Sequence, residues 1–407
     1  MQTPPVRNER GTPAYPVPVR NAGGTPAYPV YMKDMTKLLK NIVWCNLNNL
    51  LGWHTKRKIV VIESDDWGSI RMPSKEVYDF LLANGYRVNE RIFERYDSLA
   101  NNDDLELLFD VLMGVQDKNN HPAVFTANSI VANPDFDKIK KSNFQEYHYE
   151  LFDVTLNKYN NHSRAFDLWK EGLSKGLFIP QCHGREHFNI PKWMEALQKG
   201  DRDVRFVFDL GMAGIFPKEN PQQGNQYLIA YALDCQNDLR FHQHAIEEGL
   251  QLFEKIWGFQ SRTFITPCYT WHNKINEVLN DKKVELIQGI NYQFEPHIAR
   301  KDKKIFHYSG EKNRLGQRYN VRNCFFEPST NPNLDWIDTC LSQIQTAFRW
   351  NKPAIICSHR VNYIGHIDTS NRDGNLLKLK TLLTKIVNKW TDVEFTSSDK
   401  LIDLILN

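Results

Sequence analysis

The chain has 407 residues, 41% hydrophobic and 24% charged, with a formal net charge of +3 at pH 7. So balanced a charge gives no electrostatic case for nucleic acid as a partner, and no apolar run approaches the roughly 20 residues a membrane-spanning helix needs. Seven cysteines (Cys45, Cys182, Cys235, Cys268, Cys324, Cys340 and Cys357) without CxxC spacing argue against a disulfide framework and for a reducing compartment.

Residues 6–17 recur almost unchanged as 19–30. A Pro/Gly-rich tandem copy of this size cannot bury a core, so residues 1–31 are expected to be disordered or polyproline-like. Residues 32–56 carry Leu38, Leu39, Ile42, Val43, Leu47, Leu50 and Leu51 close to helical spacing. They predict an amphipathic helix over 35–53 that packs on the body of the protein or lies on a membrane surface. Lys33, Lys37 and Lys40 interrupt any apolar signal-peptide core, so the expected location is cytoplasmic or membrane-peripheral.

From residue 57 to 407 short apolar strands alternate with amphipathic helices, the pattern of a parallel sheet or barrel. Ile59, Val60, Val61 and Ile62 are all β-branched and lead into Glu63-Ser64-Asp65-Asp66-Trp67-Gly68. Helices are expected over 74–84, capped by Ser74 and stopped at Gly85, and over 101–116, 162–175, 239–257, 334–350 and 375–390. Strands are expected at 123–128, 177–182, 263–269, 284–289, 321–326, 354–359 and 393–396. Residues 130–160 read as a long loop insertion, and residues 204–230 resist assignment. Nearly every strand ends in a polar or ionisable residue, which favours a distorted (β/α)7 TIM-like barrel with its active face at the carboxyl ends of the strands. No GxGxxG follows the first strand to support a dinucleotide-binding sheet.

Asp65 and Asp66 alone fit the cap of a following helix as well as they fit a site. His183-Gly184-Arg185-Glu186-His187 changes the balance. Two histidines four apart, delivered directly after a strand, begin a metal site, and Asp66 as third ligand leaves an open position suited to Zn²⁺, Co²⁺ or Ni²⁺. Asp65 could then take a proton from water and His359 could give one to a leaving group. The same five residues also fit the H-x-x-E-H pattern of inverted zinc peptidases, with Glu186 as base, although Gly184 after a strand speaks against the helix that mechanism needs. Glycoside hydrolysis would need two carboxylic acids across a sugar bond, with Glu63, Glu186 and Glu327 near strand ends as partners.

Ser64 to Gly68, His183 to His187, Pro267-Cys268-Tyr269 and Ile355-Ile356-Cys357-Ser358-His359 occur in the order of the four main motifs of the polysaccharide deacetylase family (NodB homology, carbohydrate esterase 4), which the chain resembles over residues 58–360. The resemblance implies a distorted seven-stranded barrel that removes N- or O-acetyl groups from a sugar polymer or glycoconjugate. It implies Asp65 as general base, Asp66, His183 and His187 as metal ligands, and His359 as general acid. Cys268 and Tyr269 would border the oxyanion hole through a backbone N–H, with Trp67 on the substrate side. Two positions depart from the family pattern. Gly184 stands where a hydroxyl residue usually follows the first histidine, and Ile265 and Thr266 stand where an arginine usually precedes the proline and holds the base carboxylate. Arg262, Arg185 and Arg360 are the candidates to replace it. A relative that has lost catalysis, and binds glycan or a partner protein through the same cleft, is the alternative to the enzyme.

Overall fold

Four β-branched residues in succession can all be buried only in a strand covered on both faces, and Ile59 to Ile62 occupy such a strand. The computed structural model describes residues 43–215 and 226–407, together with the backbone of two short paired strands, Val19–Arg20 and Pro26–Ala27. The disorder expected of residues 1–31 otherwise lies outside the described residues, as do residues 35–42 of the N-terminal helix.

Strand β1 (Lys58–Trp67) belongs to a nine-stranded sheet whose other members are β2 (Phe125–Ile130), β3 (Phe178–Gly184), β4 (Thr263–Ile265), β5 (Leu286–Gly289), β6 (Arg318–Val321), β7 (Cys324–Phe325), β8 (Ala354–His359) and β9 (Val393–Thr396). The order is β6-β5-β4-β3-β2-β1-β8-β7, all neighbours are parallel, and β9 pairs with the first half of β1. The edge strands β6 and β7 are consecutive in the chain. Between them the Arg322 amide donates to Gly289 O at 2.9 Å and the Asn323 amide to Ile355 O at 3.2 Å. One bent segment therefore bonds to both edges and curls the sheet into a distorted, TIM-like barrel. The single strand expected at 321–326 is this bent stave, broken at Arg322.

Alternation along β1 sorts its side chains. Val60 and Ile62 join the main core with Leu105, Leu108, Leu112 and Phe125. Ile59 and Val61 pack with Leu286, Ile355 and the Leu401, Ile402 and Ile405 side chains of the C-terminal helix Ser398–Leu406. The same face then continues upward as Glu63 and Asp65. That helix is absent from the sequence reading, although its 401, 402, 405 spacing was a usable signal.

The helices Lys75–Ala83, Asn102–Met113, Ala165–Ser174, Gln236–Trp257, Trp336–Arg349 and Thr369–Lys389 stand where expected. Ser74 caps the first, accepting from the Val77 amide, and Asn101 with Asp104 forms a capping box on the second. Two expectations need correction. Residues 130–160 are not a plain loop. They hold a strand pair, Ala132–Pro134 with Tyr149–Leu151, and two short helices, Phe136–Lys141 and Phe152–Leu156. The buried Ile139, Phe152 and Leu156 drive this in spite of the polar composition around them. An antiparallel pair, Tyr292–Glu295 with Lys303–Phe306, follows β5 and was not foreseen.

The described part of the N-terminal helix, residues 43–48, packs on the barrel. Trp44 lies 6.5 Å ring to ring from Phe325, and the following Asn49 accepts from Asn323 at 2.8 Å. No helix among the described residues is long and apolar enough to cross a membrane.

Candidate metal centre and active site

Successive residues on a strand face opposite ways, so Asp65 and Asp66 can both serve the barrel mouth only if the ladder breaks. It does. Ser64 pairs with Ala127 and Trp67 with Ser129, so β1 carries one residue more than β2 across this interval. Asp66 sits in that bulge in the left-handed region, with φ of 72°. The same device recurs on β3. Cys182 pairs with Ser129 and Gly184 with Ile130, which makes His183 the extra residue. His187 follows in the turn that leads to the helix Ile190–Lys199.

These two bulges and the turn bring three expected ligands together. Asp66 Oδ1 lies 3.5 Å from His183 Nε2 and 3.1 Å from His187 Nε2, and the three ligand atoms fall within 4.8 Å of one another. His183 Nδ1 donates to Ile265 O at 2.9 Å, which fixes the proton on Nδ1 and turns Nε2 inward as an acceptor. That Nε2 is buried and makes no hydrogen bond. A buried imidazole nitrogen left without a partner, facing a carboxylate and a second imidazole, suits a divalent cation. Burial pushes the His187 imidazole down to about 4, so it is neutral at pH 7, the form a metal binds. Burial works against ionising Asp66, yet His187 and Arg71 beside it hold its carboxyl well below the usual range.

The other side of the mouth holds the expected base and acid. Asp65 is gripped on both oxygens by Arg322, at 2.6 Å to Oδ2 and 2.7 Å to Oδ1, and Oδ1 also accepts from Asn128 at 2.8 Å. Oδ2 therefore keeps the lone pair available for a proton, and His359 Nε2 is 3.8 Å from it. Burial opposes the charge on Asp65, but Arg322 outweighs it and lowers the carboxyl below its ordinary value. His359 Nδ1 is 2.7 Å from Glu327 Oε1, and Glu327 Oε2 accepts from Asn362 at 2.8 Å. Burial alone would lower the His359 imidazole. The Glu327 charge and hydrogen bond reverse this and raise it to about 9, so it carries a proton at neutral pH.

The arginine that the resemblance leads one to expect on the Asp65 carboxylate is found in the bend between β6 and β7. Arg322 is fully buried and also bonds Glu63 through Nε at 2.7 Å. None of the three candidates does this. Arg262 pairs with Glu285 and Asp403, Arg185 with Glu186 and Glu248, and Arg360 with Asp97. Arg322 was assigned no role from sequence, and Glu327 was considered only as a partner in glycoside hydrolysis. The signals were a charged residue inside an apolar strand and a carboxylate at a strand end.

Other expectations are corrected. Trp67 does not face substrate. It is 1% exposed, edge-on to Phe178 at 4.7 Å and to Trp169 at 6.1 Å, and its Nε1 donates to Ser64 Oγ. The Tyr269 amide donates to Thr266 O at 3.1 Å, and its hydroxyl lies 3.2 Å from Arg322, so Tyr269 braces the base side. Cys268 and Tyr269 lie in the turn after β4, where both have positive φ. Glu186 turns away from the histidines to accept from Arg185 and Tyr147, which removes the base of the peptidase reading. Glu327, Cys357 and His359 form a second close group, but Arg322 Nη1 stands 3.3 Å from Cys357 Sγ, and a guanidinium there disfavours a cation.

No family model matches the sequence, and no curated protein matches it. Solved structures do. One described as "probable Polysaccharide deacetylase from Pseudomonas aeruginosa PAO1" is 8% identical, with a TM-score of 0.43 over 85% of this chain and 90% of that one. PuuE allantoinase is 9% identical, with a TM-score of 0.43 over 87% and 91%. A 4-alpha-glucanotransferase from Thermococcus litoralis is 8% identical, with a TM-score of 0.40 over 86% of this chain and 40% of that one. Whatever chemistry the chain performs has to be argued from its own residues.

Proposed function

We propose that the chain is a metal-dependent hydrolase that removes acetyl groups, from nitrogen or oxygen, from a sugar or polysaccharide. Asp66, His183 and His187 hold the metal, Asp65 is the general base and His359 the general acid. The observation that carries this reading is the unpartnered His183 Nε2, buried against Asp66 and His187. A divalent ion held there supplies Lewis acidity at an acyl carbonyl and lowers the pKa of water.

The residues divide the remaining work. Asp65, kept ionised by Arg322, takes the proton of the attacking water on Oδ2. His359, kept protonated by Glu327, gives a proton to the leaving sugar nitrogen or oxygen. The Cys268 turn borders the developing oxyanion. A small cavity of about 40 Å³ beside His187 is lined by Arg71, Met72, Phe93, Glu94 and Phe188. The idle-relative alternative leaned on the missing arginine, and the Arg322 bonds to both oxygens of Asp65 support the active reading over it. Glycoside hydrolysis is disfavoured because the three carboxylates considered for it, Glu63, Glu186 and Glu327, are each paired with a cation.

Acetate release from acetylated glycans by purified protein with added Zn²⁺ or Co²⁺ tests the reading. Wild type is expected to turn over, with His183→Ala and Asp65→Asn down by a factor of at least about 10². Equal release by all three proteins excludes the enzyme.

A further inference from the structure

The two oxygens of Asp66 face different partners. Oδ1 faces both imidazoles, whereas Oδ2 lies 3.3 Å from Arg71 Nη2. The Arg71 side chain is only 10% exposed. Its Nε is 3.5 Å from Asp97 Oδ2, and Arg360 grips Asp97 on both oxygens at 2.9 and 3.0 Å. Charges thus alternate inward from Arg360 through Asp97 and Arg71 to Asp66. Arg71 Nη2 also lies 3.4 Å from His187 Nδ1.

The chemistry of these contacts points one way. A guanidinium offers only N–H donors, and an imidazole that gives Nε2 to a metal keeps its proton on Nδ1. As the contact stands, Arg71 donates to Nδ1 and the His187 proton faces Asp66 from Nε2; with Nε2 given to a metal, Nδ1 would carry the proton and donor would face donor. This is the reverse of the acceptor that usually stands behind a ligating histidine and that Ile265 O supplies to His183. On Asp66, the arginine occupies one oxygen and draws charge from the other, leaving a single-oxygen ligand of reduced strength.

Resting on the assignment of Asp66, His183 and His187 as metal ligands, we propose that Arg71 is a positioning residue that loosens the grip on the ion. It confines Asp66 to one oxygen and makes His187 a weaker donor. The ion so held stays more electron-poor and keeps room for water and substrate. Tight retention is given up for reactivity, and the alternating row back to Arg360 holds Arg71 in place.

Zinc affinity tests this without reference to turnover. The full chain as wild type, Arg71→Gln and Arg71→Lys is stripped of metal and titrated with Zn²⁺ in competition with a chromogenic chelator at neutral pH. Arg71→Gln is expected to bind Zn²⁺ about tenfold more tightly. Arg71→Lys, which cannot span Oδ2 and His187 at once, is expected to bind more tightly by a smaller factor. The visible spectrum of the Co²⁺ form changes in Arg71→Gln as the second oxygen of Asp66 joins the ion. Affinity equal to or weaker than wild type, in whichever variant folds, overturns the role of Arg71 and leaves the metal centre standing. Failure of wild type to bind one ion per chain overturns the metal centre itself.

Discussion

At Gly184 the backbone has φ of 120°, and a Cβ there would lie 2.6 Å from the Tyr231 hydroxyl. The position that a hydroxyl residue would fill from within the motif is thus filled by a tyrosine from outside it. Gly184→Ser is expected to destabilise the protein by about 1–3 kcal/mol in urea unfolding, because it adds both backbone strain and overlap. Tyr231→Phe in the same chain should recover part of the loss. Residue chemistry also sets the pH response. His359 is protonated below about 9 because Glu327 outweighs burial. Glu327→Gln removes the raising influence, so the alkaline limb of kcat/KM should move to lower pH, with the acid limb little changed. A profile that stays in place would separate Glu327 from proton delivery.

Single elements carry the next level of control. The bulges on β1 and β3 are one-residue insertions, yet without them Asp66 and His183 would face the opposite side of the sheet. The sequence announces the residues and not the bulges, since a strand with an extra residue reads like any other until its partner's register is known. Strand β9 depends instead on charge. Glu394 accepts from Arg57 Nε at 3.0 Å, just before β1, and pairs with Lys118 at 3.0 Å, while Lys58 holds Asp392 at 2.6 Å. The Arg57 hydrogen bond leads in lowering Glu394 to about 2, from an ordinary 4.5. Because the folded value lies below the unfolded one, the contribution is complete above about pH 4.5 and is lost as pH falls through about 2. Glu394→Gln should therefore flatten the acid side of the stability curve between those limits. Half-exposed Arg57 makes the effect small and salt-sensitive, and urea titrations at low and high ionic strength would read it.

For the whole molecule, the proposed metal centre would tie β1, β3 and the turn after β3, so ion binding should couple to global stability. Zn²⁺ at 100 times its Kd adds about 2.7 kcal/mol to a fold that binds it only when native. The Tm should rise by several degrees with Zn²⁺ and return with a chelator, and His183→Ala should show no rise. Such a change would appear in calorimetry of the purified chain. The amino-acid order by itself determined the alternation of strands and helices, the barrel class, and the choice of Asp66, His183 and His187, with Asp65 and His359, as the candidate site residues. Those features are local, written in β-branched runs, caps and polar residues at strand ends, and short-range patterns survive in one dimension. Only the tertiary structure decided that Arg322 grips Asp65, that Glu327 backs His359, that Tyr231 stands over Gly184 and that Trp67 belongs to the core. Arg322 lies 257 positions from Asp65 in the chain, and the closure of the sheet between β6 and β7 is what brings its guanidinium against that carboxylate.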